Sequence, residues 1–358
     1  MNSDSKPASF VMAGGGTGGH VMPALAVARE LRARGHAVRF IGTRRGLEAK
    51  LAPAEGFPID WIEIGGLNRV GLRKTLVTLA ELPFSVWAAS RMLDRDRPRA
   101  VFSMGGFVAG PVLLAALWKR VPVVVMEPNA IPGFTHRQLA RFVARALVSF
   151  PETAKWFPAG VTEVTGMPVR EEFFAIPPRP RGDKLTILIT GGSQGSRTLN
   201  FAAQESWPLW DKTSVRLIHQ TGANAYEQLA PGFRASGIDG EISAFLTDMP
   251  AAFASADVVI SRAGMSTVSE LAAAGKPSIL VPLPTAADQH QLRNAEAMQR
   301  IGAARMVLDA ELSGQRLMDE VLRLSQSPDL LRQMGQAARS FSKPDAARRA
   351  AEVLESFR

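Results

Sequence analysis

At 358 residues the chain exceeds the roughly 100–200 residues of one ordinary domain, so two domains are expected, and its 46% apolar content fits globular cores. The absence of cysteine excludes disulfides and thiolate zinc sites. The net charge of +9 is unevenly placed, with 21 Lys/Arg against 12 Asp/Glu in residues 1–165 and 21 against 21 in residues 166–358. Such a split points to an anionic surface or substrate facing the first half. No recognition helix, zinc finger or aromatic RNA-binding motif accompanies it, so nucleic acid is not expected, and membrane phospholipid is the other candidate.

The first residues, 1–9, are polar and lack the charged and apolar regions of a secretory signal. The apolar run 10–13 reads as a strand. It leads into Gly14-Gly15-Gly16-Thr17-Gly18-Gly19-His20 and a helical stretch to about Arg34. Further strands are expected at 37–41, 59–64, 100–104, 121–126 and 146–150, with helical patterns between most of them. Leu72, Leu76, Leu79, Pro83, Val86 and Trp87 recur at helical spacing behind Arg69, Arg73 and Lys74. Part of that helix must be core. Phe84, Trp87 and Trp118 beside Lys119-Arg120 also read as an interfacial patch with basic flanks. Residues 100–118 carry no charge and approach the length of a membrane span, but Gly105-Gly106, Gly110 and Pro111 interrupt them, so strand, turn and helix are expected instead.

Pro177-Pro178-Arg179-Pro180 reads as a connector, after which the pattern restarts. A strand over 185–190 leads into Gly191-Gly192-Ser193-Gln194-Gly195-Ser196 and a helix, with strands following at 215–219, 257–261 and 278–281. Helices are expected over most of 288–300, 315–325 and 328–358. The fold class is therefore α/β, two Rossmann-like domains with an inter-domain cleft. The domains are expected at 1–165 and 166–344, with a last helix, about 345–358, packing back on the first.

A glycine-rich turn entering a helix gathers backbone N–H groups at the positive end of the helix dipole, which suits a phosphate. Two such turns, at matching places, are stronger evidence than one. A dinucleotide site is disfavoured, because strand 37–41 ends in Gly42-Thr43 and lacks the acidic residue that holds ribose hydroxyls. Asp94-Arg95-Asp96 mimics a metal-binding Asp-x-Asp but lies among arginines and reads as a solvated face. His36, His136 and His219 have no ligand-like spacing, so no metal or cofactor is expected.

The motifs Gly15-Gly16-Thr17-Gly18-Gly19-His20, Met104-Gly105-Gly106-Phe107-Val108-Ala109-Gly110-Pro111, Glu127-Pro128-Asn129, Gly191-Gly192-Ser193-Gln194-Gly195 and Thr267-Val268-Ser269-Glu270 stand in that order. Together they resemble the MurG family, which adds N-acetylglucosamine to an undecaprenyl-diphosphate-linked muramyl-pentapeptide. The resemblance covers nearly the whole chain. It implies the GT-B fold, UDP-N-acetylglucosamine as donor, an inverting metal-independent transfer, and a peripheral place on the cytoplasmic face of the bacterial plasma membrane.

Carried over residue by residue, the resemblance places the uridine on the second domain. Glu270 would accept from the ribose, and the backbone around Leu246 would read the uracil edge. Ser193 with Met265-Ser266-Thr267 would hold the diphosphate, and Arg170 would lie near the phosphates at the domain junction. Asn129, His290 and Gln291 would contact the sugar. Thr17, Gly18, Gly19 and His20 would face the acceptor diphosphate and the reacting hydroxyl, and His20 or Glu127 would be the base. Three departures stand out: Met126 where the family commonly has His, Met167 where it has Asn, and one residue inserted before Asp288. Rival readings are a GT-B transferase for another lipid acceptor, a UDP-N-acetylglucosamine epimerase, and a nucleotide-sugar-binding protein without turnover.

Overall fold

The computed structural model describes residues 7–65, 72–180 and 182–358. The chain divides into two compact units, Met1–Pro168 with Asp345–Arg358, and Val169–Pro344.

The first unit alternates strand and helix: β1 (Ser9–Gly14), α1 (Gly18–Ala33), β2 (Ala37–Gly42), α2 (Glu48–Ala54), β3 (Ile59–Trp61), α3 (Leu72–Asp96), β4 (Ala100–Gly105), α4 (Ala109–Trp118), β5 (Val123–Glu127), α5 (Phe134–Leu139), β6 (Arg145–Val148) and β7 (Thr162–Val164). The strands form one parallel sheet in the order β3-β2-β1-β4-β5-β6-β7. A parallel sheet is covered on both faces, so its strands read as continuous apolar runs. Along β1, Phe10 and Met12 enter one core, with Phe40, Phe102 and the α1 residues Leu25 and Leu31. Val11 and Ala13 enter the other, with Val101, Val125 and the α4 residues Val112 and Leu113. The uncharged run 100–118 is β4, a glycine turn and α4.

The second unit holds α6 (Glu171–Phe174), β8 (Leu185–Thr190), α7 (Arg197–Ser206), β9 (Val215–Gln220), α8 (Ala223–Ser236), β10 (Asp239–Ser243), α9 (Met249–Ser255), β11 (Val258–Ser261), α10 (Met265–Ala274), β12 (Ser278–Leu280), α11 (His290–Arg300), β13 (Ala304–Met306), α12 (Gly314–Ser325) and α13 (Pro328–Phe341). Its parallel sheet runs β10-β9-β8-β11-β12-β13. The helix expected over 328–358 is two helices. α13 stops at Phe341, and α14 (Ala346–Glu355) begins after Pro344, which has no N–H to continue the ladder. α14 buries Ala350, Ala351 and Leu354 in the Phe10 core of the first unit. Its Glu355 accepts from Arg34 at 2.8 Å and lies 2.7 Å from His36 Nε2.

Candidate active site

In an open parallel sheet the loops after the strand C-termini face ligands. In the first unit, β1 enters α1 through Gly14–Gly19, with Gly16 at φ +92°. Thr17 is the N-cap of α1, and the N–H groups of His20 and Val21 both donate to its carbonyl at 3.1 Å. Gly18 and Gly19 open the helix, where first-turn amides lack intrahelical acceptors. His20 Nδ1 lies 3.0 Å from Thr17 Oγ1. Beneath the turn sits Glu48, fully buried. Its Oε2 accepts from Gly16 N–H at 2.8 Å, and its Oε1 accepts from Thr43 N–H at 2.9 Å and Thr43 Oγ1 at 3.1 Å. A Cβ on Gly15, Gly42 or Gly46 would run into this side chain. The glycines therefore make room for a carboxylate strut.

Glu127 ends β5 and is buried. Its Oε1 accepts from Asn129 N–H and Nδ2, both at 3.0 Å, and its Oε2 accepts from Gly133 N–H at 3.0 Å and His136 Nδ1 at 2.9 Å. Burial pushes the carboxyl up. The His136 hydrogen bond and charge, with the Gly133 and Asn129 amides, outweigh that and hold it below its ordinary value. A carboxylate so fully engaged fixes Asn129 and is a poor proton acceptor. Met126 is buried in the core, and the imidazole next to Glu127 is that of His136.

In the second unit, Ser193 is exposed on the turn between β8 and α7. Gln220, at the end of β9, donates from Nε2 to the Gly192 carbonyl at 2.8 Å and accepts from Leu246 N–H at 3.1 Å. It thus ties the Ser193 turn to the loop after β10. Met265, Ser266 and Thr267 form the first turn of α10 after Gly264. One turn later, Glu270 Oε1 stands 3.8 Å from Arg170 Nη2. Burial lifts the Glu270 carboxyl to about 7, and Arg170 pulls it down only in part. Gln291 Oε1 accepts from Leu283 N–H at 3.0 Å, and its amide lies over Gly264. His290 Nδ1 donates to the Ala287 carbonyl at 2.7 Å. At the expected insertion, Asp288 and Gln289 take left-handed backbone, φ +50° and +53°. Non-glycine residues held there carry strain that clusters at ligand loops.

Models of the glycosyltransferase family 28 N-terminal and C-terminal domains match residues 10–148 and 186–350. The UDP-N-acetylglucosamine–N-acetylmuramyl-(pentapeptide) pyrophosphoryl-undecaprenol N-acetylglucosamine transferase of Solibacter usitatus (strain Ellin6076) is 61% identical over 97% of this chain and 96% of that protein. The chain belongs to the MurG family. The transferase of the same name from Anaeromyxobacter sp. (strain Fw109-5) is 42% identical over 96% of this chain and 92% of its own length. The crystal structure of Acinetobacter baumannii MurG matches with a TM-score of 0.82 at 32% identity, covering 98% of this chain and 99% of that one. The MurG likeness identifies the two parallel-sheet units as the Rossmann-like domains of the GT-B fold.

On this MurG-family chain, Phe84, Trp87 and Trp118 are 76%, 56% and 67% exposed on α3 and α4. Arg91 lies over the Trp87 ring at 5.2 Å and Lys119 over the Trp118 ring at 5.5 Å. Lys119 also pairs with Asp94 at 2.7 Å, so part of its charge is already answered. Arg69 and the side chains of Arg73 and Lys74 lie outside the described residues. Among the described residues, no helix is long and apolar enough to cross a membrane, and no three acidic or histidine side chains group as metal ligands. Asp96 pairs with Arg95 and Arg39, and Arg95 also pairs with Asp60. Glu48, Ser103, His136 and Gln220 escape sequence reasoning, because each acts through a contact distant in the chain.

Proposed function

We propose that the chain transfers N-acetylglucosamine from UDP-N-acetylglucosamine to undecaprenyl-diphosphate-linked N-acetylmuramyl-pentapeptide, the lipid I to lipid II step of peptidoglycan synthesis. The observation that carries this reading is 61% identity over 97% of the chain to the Solibacter enzyme of that name. The acceptor C4 hydroxyl attacks the anomeric carbon and UDP leaves with inversion. His20 takes the hydroxyl proton. Glu127 holds Asn129, whose amide is offered to the sugar.

The second unit binds the donor. Glu270 accepts from the ribose, and Leu246 presents its carbonyl to the uracil edge, its N–H being donated to Gln220. The α10 amides at Met265, Ser266 and Thr267, with Ser193 and Arg170, meet the diphosphate charge as it grows on the leaving group. His290 and Gln291 contact the GlcNAc. The first unit carries the acceptor on Thr17, Gly18, Gly19 and His20. It docks peripherally on the anionic cytoplasmic leaflet through Phe84, Trp87, Trp118 and the neighbouring basic residues.

The test is acceptor-dependent release of UDP by the purified protein. Release should require the polyprenyl-diphosphate acceptor and persist in EDTA. UDP release that ignores the acceptor, or that stops when EDTA is added, contradicts the reading.

A further inference from the structure

Behind Glu127, which holds Asn129, two further buried side chains beside the proposed site complete a chain of three. Ser103 lies near the end of β4, Glu127 ends β5 and His136 sits in α5; they are 0%, 3% and 1% exposed. Ser103 Oγ is 3.2 Å from His136 Nε2, and His136 Nδ1 is 2.9 Å from Glu127 Oε2. The order is that of a Ser–His–Glu triad, but its serine is sealed from any substrate. Gly105 N–H donates to Ser103 Oγ at 3.0 Å. One assignment then satisfies every atom: the serine hydrogen points to Nε2, and Nδ1–H donates to the carboxylate.

The chain ends on two loops. At one end Glu127 grips the Asn129 backbone and side chain. At the other Ser103 grips the Gly105-Gly106 turn, whose two residues both have φ +83°. A Cβ on Gly105 would come within 3.3 Å of the His136 ring. A Cβ on Gly106 would come within 2.9 Å of the Gly15 carbonyl and 3.7 Å of His20 Nδ1. The turn is thus held between His136 and the loop that carries His20.

We propose that His136 is a positioning residue for the transfer. As the middle of the Ser103–His136–Glu127 chain, it sets the Asn129 loop and, through Gly105-Gly106, the His20 loop. This rests on the functional reading above. The role lies wholly in the first unit, whereas the uridine and diphosphate contacts lie in the second, so binding of UDP should not depend on it.

The test compares kcat at saturating substrates, UDP affinity by calorimetry and thermal melting for the wild type, His136→Ala, His136→Asn, Ser103→Ala and the double variant. His136→Ala should lose about 10²-fold in kcat, the scale of a displaced reacting group, with UDP affinity unchanged. His136→Asn, whose amide can still donate to Glu127, should recover most of the loss. The double variant should be no slower than His136→Ala, because the chain is already broken. Wild-type kcat in a folded His136→Ala overturns the proposal, as does a parallel fall in UDP affinity. Should His136→Ala fail to fold, Ser103→Ala decides: a several-fold fall in kcat at unchanged UDP affinity supports the chain, and wild-type kcat overturns it. A wild type with no acceptor-dependent turnover overturns the functional reading and this proposal with it.

Discussion

Burial lifts the Glu270 carboxyl to about 7, so near neutral pH it is divided between an acceptor-only carboxylate and an acid. Ribose hydroxyls donate to the charged form. Donor binding should therefore expel a proton below that pH, and donor affinity should rise with pH and level off above about 7. Glu270→Gln should weaken binding by about 1.5–3 kcal/mol and flatten the pH dependence, read by calorimetry in two buffers of different ionisation enthalpy. An unchanged affinity would remove Glu270 from the donor site. His20→Ala should lower turnover by about 10²–10⁴-fold at unchanged UDP affinity, the loss expected on removing the base. Turnover close to the wild type would leave the reaction to orientation and leaving-group stabilisation. At this scale, legibility depended on contiguity. Thr17–His20 and Thr267–Glu270 stand in motifs that can be read along the chain. Glu48 reaches Gly16 across 32 residues and His136 reaches Ser103 across 33, and nothing local marks either.

The β1–α1 turn is an element whose shape depends on one buried carboxylate. Removing it in Glu48→Ala leaves the buried Thr43 N–H and the half-buried Gly16 N–H without their acceptor, at up to about 1–3 kcal/mol each. Glu48→Gln keeps the volume but puts a donor where an acceptor is needed. Both variants should melt lower and turn over more slowly, and Glu48→Gln should be the milder, measured by calorimetric melting beside kcat. A Glu48→Ala variant with wild-type melting would show that the turn is held by its glycines without the strut. The long central strands and the two glycine turns were readable because buried parallel strands are continuous apolar runs. Of the short outer strands, β3 falls within the expected 59–64, but β7, β10 and β13 were not readable. β10, Asp-Gly-Glu-Ile-Ser, and β7, Thr-Glu-Val, end the strand order of their sheets among the described residues and carry polar residues. α8 holds Pro231-Gly232 inside it, a pair that reads as a break.

For the whole molecule, acid stability has a named contributor. Burial holds His219 down to about 4, while an unfolded histidine titrates near 6.5. The unfolded chain takes up a proton that the folded chain refuses. His219 is therefore without penalty above about 6.5 and costs stability increasingly as pH falls toward 4, by about 3 kcal/mol in all. Melting scans should show that His219→Gln loses less stability between pH 7 and pH 5 than the wild type does; an equal loss would place the acid sensitivity elsewhere. The two-domain plan was readable from the repeated strand–turn–helix opening, and the basic first half from counting charges. Reversing Arg73, Lys74 and Lys119 to Glu should weaken co-sedimentation with anionic vesicles while sparing turnover of a short soluble acceptor. Unchanged sedimentation would give the basic excess to the acceptor diphosphate instead.

The most direct measurement of the central claim follows the sugar itself. Purified protein is incubated with UDP-N-acetylglucosamine labelled in the sugar and a polyprenyl-diphosphate N-acetylmuramyl-pentapeptide, and the products are resolved and their linkage determined. The expected result is label in the lipid fraction as a β-linked disaccharide, with one UDP formed per sugar moved. Label that stays in the UDP-sugar pool as an epimer, or that appears as free sugar with no labelled lipid, would contradict it.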